Sequence, residues 1–174
     1  MAKQSVSQRN DFMNFLRFRV AESAAATFTQ NELDTNLSAE RGVIMEIHSI
    51  ELFFEGLQLL TEVGTDATES VVFQLTRESK TAAVVMNDAD LILRRTPSIM
   101  RSSAVGTDAG PIYVYHDQYV RTDFLKPIPY VKPTIFAAVV GTDASGLQAV
   151  SGRIGYTLRE VSRTEFIELL VALQ

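Results

Sequence analysis

The run Gly42-Val-Ile-Met-Glu-Ile-His-Ser-Ile-Glu-Leu-Phe-Phe-Glu55 decides the fold class. Val43, Met45 and Ile47 share one parity, whereas Ile50, Leu52 and Phe54 share the other. A period of two belongs to a strand with one buried face, and a change of parity near His48 and Ser49 is what a β-bulge produces. One long, bent strand is predicted here.

Downstream, the same patterning predicts strands at Val71/Phe73/Leu75, 82–86, 91–95, 112–120, 135–140 and 150–158. Tyr113, Tyr115 and Tyr119 fall on one face of the 112–120 segment. A short first strand at 24–29 brings the expected number to eight. Residues 30–41 are polar and acidic and read as a surface loop or extended arm. Upstream, Phe12, Phe15, Leu16, Val20 and Ala24 fit an amphipathic helix over 11–24, capped by Asn10 or Asp11. Phe18 and Val20 alternating with Arg17 and Arg19 fit a strand instead, and the sequence leaves both open.

At the other end, Ser162 and Glu165 form an S-x-x-E capping box ahead of Phe166, Ile167, Leu169, Leu170 and Leu173. A helix is predicted from there. Being too short to stand alone in water, it must pack its apolar stripe on the β domain or a neighbour. The expected organisation is an N-terminal arm or amphipathic segment (1–29), a β domain (30–161) and a C-terminal helix (162–174).

Composition narrows the function classes. The 174 residues are 46% hydrophobic and 21% charged, enough apolar material for a packed core. There is no cysteine, which removes disulfides, thiolate zinc sites and thiol nucleophiles. The polar start and the lack of an apolar run near 20 residues argue against a signal peptide or a membrane span. The net charge of −5 is unevenly placed: residues 1–19 carry four basic side chains and one acidic, residues 22–70 one basic and ten acidic. Contact with phosphate would have to use the arm or the cluster Arg94, Arg95, Arg101.

Catalytic constellations are scarce. His48 lies inside a predicted strand, and His116 stands beside Asp117, but no G-x-S-x-G elbow accompanies them. The chain also lacks G-x-G-x-x-G, G-x-x-x-x-G-K-[ST] and H-E-x-x-H, so no cofactor motif is present and no enzyme is expected. Asp88 and Asp90 read as turn charges. The pentapeptide Val-Gly-Thr-Asp-Ala recurs at 63–67, 105–109 and 140–144. Reused turn chemistry accounts for it best; Asp66, Asp108 and Asp143 are weak candidates for a Ca²⁺ site only if they gather at one end of the domain. The stretch Lys126-Pro-Ile-Pro-Tyr-Val-Lys-Pro133 cannot be an interior strand, because proline removes ladder donors, and reads as a stiff crossover.

The polar arm, about eight strands, the proline crossover and the closing segment Arg153-Ile-Gly-Tyr-Thr-Leu-Arg-Glu-Val-Ser-Arg-Thr-Glu-Phe-Ile-Glu-Leu-Leu170 together resemble a small single jelly-roll capsid protein. The group is that of tailless icosahedral viruses of bacteria and archaea, such as the sphaerolipovirus-like lineage. The resemblance implies an all-β, eight-stranded jelly roll with an N-terminal arm or helix and a short C-terminal helix. It implies a structural virion protein, assembled in the host cytoplasm, that closes an icosahedral shell through many copies of itself. A second capsid protein, and weak contact of the arm with genome or an internal membrane, are further partners it allows. Interface candidates are Phe12, Phe15, Leu16, Tyr113, Tyr115, Tyr119, Phe166 and Leu170, each of which fits a monomer core equally well. The alternative is a Ca²⁺-dependent carbohydrate- or ligand-binding β-sandwich module, with the tyrosine face stacking on sugar rings.

Overall fold

A computed structural model describes residues 9–37, 42–55, 67–102, 112–114, 118–142 and 146–172. Among them lie ten strands, β1 (Arg9–Ala21), β2 (Thr29–Asp34), β3 (Val43–Glu55), β4 (Ala67–Thr76), β5 (Leu91–Arg95), β6 (Ser98–Ser102), β7 (Ile112–Val114), β8 (Tyr119–Tyr130), β9 (Thr134–Thr142) and β10 (Ala149–Glu160), followed by the helix α1 (Arg163–Ala172). The protein is predominantly β, with two antiparallel sheets. One has the order β1-β10-β3-β8; the other runs β2-β9-β4-β6-β7, with β5 also paired to β4.

The pairing is nested. β1 pairs with β10, β2 with β9, β3 with β8, and β4 with β5 and β6. Two further pairs, β10 with β3 and β4 with β9, knit these hairpins into sheets.

Alternation places Phe18, Val20, Ile50, Leu52, Phe54 and Ile154 from the first sheet against Val71, Phe73, Leu75, Ile135 and Val139 from the second. Phe73 is the hinge of this core: its ring stacks on Phe18 at 5.7 Å and meets Phe54 edge-on at 6.5 Å. A second, smaller cluster of Ile44, Val131 and Phe166 seats α1 on the outer side of β3. The Ser162 hydroxyl accepts from Glu165 N at 3.2 Å and so caps α1 where the sequence predicts, while the Glu165 carboxylate accepts from Arg159 at 2.8 Å.

The bulge in β3 is where the parity change put it. Ile47 faces Tyr156 and Ser49 faces Gly155, which leaves His48 without a partner in the ladder. Its Nε2 lies 2.9 Å from Thr157 Oγ1. On the other side the same two residues face Ile128 and Asp123, so residues 124–127 of β8 arch outward.

Several expectations are corrected. Residues 11–24 are not a helix: β1 runs from Arg9, with Leu16, Phe18 and Val20 turned inward, while Phe12 and Phe15 on the supposed helical face stay exposed. Residues 24–28 form a turn rather than a strand, with Ala26 at φ 55°. The first strand of the second sheet begins at Thr29 and runs to Asp34, into the segment 30–41 expected to be a loop or arm. That strand sits at a sheet edge and buries only Leu33, so its polar composition is compatible with pairing. Residues 82–86 are not a strand but part of a strap, 77–90. Prolines 127 and 129 lie within β8 rather than in a free connection, and β8 is an edge strand, where a missing donor costs no ladder bond.

Glu22 closes the end of the sandwich. Its buried carboxylate accepts from Gly141 N at 2.7 Å and Gln148 N at 2.8 Å, tying the end of β1 to β9 and to the approach of β10. The Asp of the third Val-Gly-Thr-Asp-Ala copy and nearly all of the first two copies lie outside the described residues, so Asp66, Asp108 and Asp143 do too.

Two substitutions test this account of the core. Phe73→Ala removes the ring shared by both sheets and is expected to cost about 3–5 kcal/mol. Glu22→Ala strands two buried amides and is expected to cost roughly 2–4 kcal/mol. Urea unfolding midpoints of the purified variants measure both, and a loss below 1 kcal/mol for either would contradict the role given to it.

Candidate functional site

The two sheets present their outer faces differently. On the six-stranded sheet, Gln74 points away from the core yet is almost fully buried, because the strap 77–90 lies over it. Gln74 donates through Nε2 to Ala82 O at 3.4 Å and accepts from Val84 N at 2.9 Å, while Arg94 donates to Val84 O. Gln30 donates to Ser79 Oγ at 2.8 Å and accepts from Lys80 N at 3.0 Å. Asp88 and Asp90 hold the strap closed through Lys80, at 3.3 and 2.7 Å. This face is covered by the chain itself.

Among the described residues the four-stranded sheet is covered at one end, where α1 packs against Ile44 and Arg159 binds both Glu46 and Glu165 at 2.8 Å. Beyond the bulge, no described segment lies over it. Register there sets three complete outward rows across β1, β10, β3 and β8. They read Phe15, Gly155, Ser49, Asp123; then Arg17, Arg153, Glu51, Arg121; then Arg19, Ser151, Phe53, Tyr119. Glu55 begins a fourth row, beside Ala149 and Ala21.

Glu51 organises this surface. Arg153 donates to it through Nε at 2.9 Å and Nη2 at 3.1 Å, the Tyr119 hydroxyl donates at 3.0 Å, and Arg121 Nη1 stands 3.6 Å away. The hydrogen bonds from Arg153 hold the Glu51 carboxyl below the usual carboxylate range against the opposing effect of burial, and the Tyr119 hydroxyl adds to the lowering. Donating to Glu51 pushes the Tyr119 phenol above its ordinary value. Glu55 is likewise lowered, first by Arg19, which donates at 2.8 and 3.1 Å, and then by the Ser151 hydroxyl.

Aromatic side chains surround the ion pairs. The Arg153 guanidinium lies 4.7 Å from the centre of the Phe15 ring, a cation–π contact. Gly155, in the same row as Phe15, makes room for Ser49, since a Cβ there would come within 2.6 Å of Ser49 Oγ. Phe15, Phe53 and Tyr119 remain 43%, 47% and 52% exposed. A shallow basin of about 340 Å³ opens beside Phe53 and Tyr119, lined also by Arg17, Glu51 and Arg153.

The residues singled out by sequence separate into two groups. Leu16, Phe166 and Leu170 belong to the packed clusters. Phe12, Phe15 and Tyr119 point to solvent, and the last two share the outer face just described. Tyr113 lies on β7; Tyr115, His116 and Asp117 lie outside the described residues. Glu51, Phe53, Arg121 and Arg153 were missed. Their outward parity is visible along each predicted strand, but their convergence depends on register. Among the described residues, no group of three His, Asp or Glu side chains is placed to hold a metal, and no helix is long and apolar enough to cross a membrane.

Because the folded-state pKa of Glu51 is depressed, its ionisation stabilises the fold above the ordinary carboxylate range, and that contribution is lost as pH falls through the folded value. Glu51→Gln is therefore expected to flatten the loss of stability between about pH 5 and 3. Denaturation midpoints across that range measure it, and a slope equal to that of the wild type would remove Glu51 from the centre of the network.

No protein-family model matches this sequence, and no curated protein matches it either, so the reading of this surface rests on its geometry.

Proposed function

We propose that this chain is a structural capsid subunit, a jelly roll that assembles with copies of itself into an icosahedral virion shell and carries no catalytic site. The observation that carries this reading is the nested pairing of first strand with last, second with second-last, and so inward. A long hairpin rolled up in this way is the double Greek key of a jelly roll, an architecture used by viral capsids, lectins and cupins. Fold alone does not choose among those uses. The choice here follows from the surface: a broad, uncovered sheet face carries arginine and aromatic residues around a shallow basin, which suits contact with another protein better than enclosure of a small molecule.

The basin with its two exposed rings, Phe53 and Tyr119, favours one alternative, a sugar-binding module that uses Ca²⁺. Size separates the two. Light scattering and negative-stain microscopy of the purified chain, with and without a calcium chelator, should give discrete large oligomers or closed shells in both conditions. A stable monomer throughout would overturn self-assembly, and melting that shifts with calcium would favour the binding module.

A further inference from the structure

The strands that end the two sheets are not alike. β8 withholds donors through Pro127 and Pro129, β2 presents Glu32 and Asp34, and β7 has three residues, whereas β1 has thirteen. An edge strand turns alternate N–H and C=O groups outward, where another strand can use them. Which groups face outward on β1 follows from its pairing with β10. Glu22 N donates to Gln148 O at 2.9 Å, and this pair continues the register in which Val20 faces Val150, Phe18 faces Gly152 and Leu16 faces Ile154. Bonded and non-bonded pairs alternate along an antiparallel ladder, so the even-numbered residues bond to β10, and Phe15, Arg17 and Arg19 turn their backbone groups away from it. The Asn31 side chain of β2 agrees with this parity by donating to Arg19 O at 3.1 Å.

Asn31 closes this edge on one side, and a register shift between Asn10 and Asn14 closes it on the other. Over the roughly five residues between them, the N–H and C=O groups of Phe15 and Arg17 meet no described partner. The side chains there are also unsatisfied. Phe12, Met13 and Phe15 are exposed. Arg17 is exposed too, and it sits opposite Arg153, whose own guanidinium is taken up by Glu51. Like charges facing across neighbouring strands destabilise a sheet. Arg19, Arg121 and Arg153 on the same face each bind a carboxylate, whereas no described carboxylate pairs with Arg17.

We infer that β1 is a docking edge: an extended segment of a partner protein adds to it antiparallel, with a carboxylate opposite Arg17 and an apolar side chain opposite Phe15. Strand addition uses the free backbone groups of Phe15 and Arg17, and the alternate side chains of the added segment select the partner. In antiparallel pairing the residue opposite Arg17 comes two positions before the residue opposite Phe15. The segment recognised is therefore Asp or Glu, any residue, then an apolar residue. Its carboxylate supplies the counter-ion that Arg17 lacks, and its apolar side chain covers the exposed flank of Phe15. A second copy of β1 does not meet this requirement, because its one acidic residue, Asp11, falls within the register shift and outside the regular ladder. The inference goes beyond the assembly reading and holds equally for a coat subunit or a binding module.

Two capped peptides test this on the full chain: Ser-Thr-Glu-Thr-Val-Thr-Ser, and the same peptide with Lys in place of Glu. The Glu peptide should slow hydrogen exchange at the amides of Phe15 and Arg17 and leave those of Leu16 and Phe18, already bonded to β10, unchanged. By calorimetry it should bind about tenfold more tightly than the Lys peptide. Arg17→Gln should bring the two peptides to similar affinity, and Arg17→Glu should reverse their order, with thermal melting no lower than that of the wild type. The inference is overturned if the Glu peptide at about 1 mM gives no protection, if both peptides bind the wild type alike, or if Arg17→Glu leaves their order in place. Amides of Phe15 and Arg17 that are protected without peptide also overturn it: protection at every concentration means a closed edge, and protection that grows with the concentration of the chain gives the edge to a second copy. Light scattering reads assembly separately, so the shell reading and the docking edge fail independently.

Discussion

Everything in this sandwich depends on the last strand entering between the first and the third. β10 pairs along nearly its whole length with β1 on one side and β3 on the other, so the four-stranded sheet does not exist as a unit until the C-terminal third of the chain is in place. Gly152 shows how tightly that insertion is fitted: a Cβ there would come within 2.5 Å of Phe18 Cζ and 2.7 Å of the Glu51 carbonyl oxygen. The Phe18 ring can therefore lie across β10 and still stack on Phe73 of the opposite sheet. The Glu22 carboxylate, which accepts from Gln148 just before β10 begins, fixes the same junction from its end. Contacts so distant in sequence must pay loop-closure entropy before they stabilise anything, which places folding among the slower, highly non-local class.

With that pairing fixed, the inequality of the two outer faces follows from the loops. The connection between β4 and β5 is long enough to fold back as the strap 77–90 and satisfies the outward polar groups of its own sheet, including the buried Gln74. On the other sheet the described residues supply α1, which is anchored at the far side of the bulge by Phe166 and by the Arg159 ion pairs. His48 therefore marks a boundary: rows before it are covered by the helix, and rows after it are left to ion pairs and exposed rings. The bulge that bends β3 also makes residues 124–127 of β8 arch outward and leaves Leu125 fully exposed at the rim.

Much of this was legible in the sequence where one physical signal acted alone. The parity change at His48 located the bulge, and Ser162 with Glu165 located the helix start. Legibility failed where two signals competed. Phe12 and Phe15 lent β1 a helical spacing, although they are surface residues; the inward set Leu16, Phe18 and Val20 has a period of two. Val85 and Met86 mimicked a strand while being exposed at the strap. β2 was hidden because an edge strand with one buried residue has almost no apolar period. The Glu51 network was invisible for a different reason. Each of its members shows only as a charged or aromatic residue of outward parity, and the cross-strand partner of any one of them is set by register, which no local pattern encodes.

The sheet edges bear on how copies can meet. An open edge invites another strand to add to it, and unlimited edge addition gives fibres rather than closed assemblies. Here β8 ends its sheet with Pro127 and Pro129, which withhold donors, and with an arch at 124–127 that breaks the straight line of the ladder. β2 ends the other sheet with Glu32 and Asp34 exposed, so a second β2 would bring like charges together. Sheet extension is thus opposed by backbone chemistry at the β8 edge and by charge at the β2 edge. The uncovered rows of the four-stranded sheet have neither obstacle: away from the edges their backbone groups are already paired, and their exposed surface is side chain. A contact made through that face would leave every ladder hydrogen bond in place, and the face itself is bounded by the helix at one end and the rim at the other.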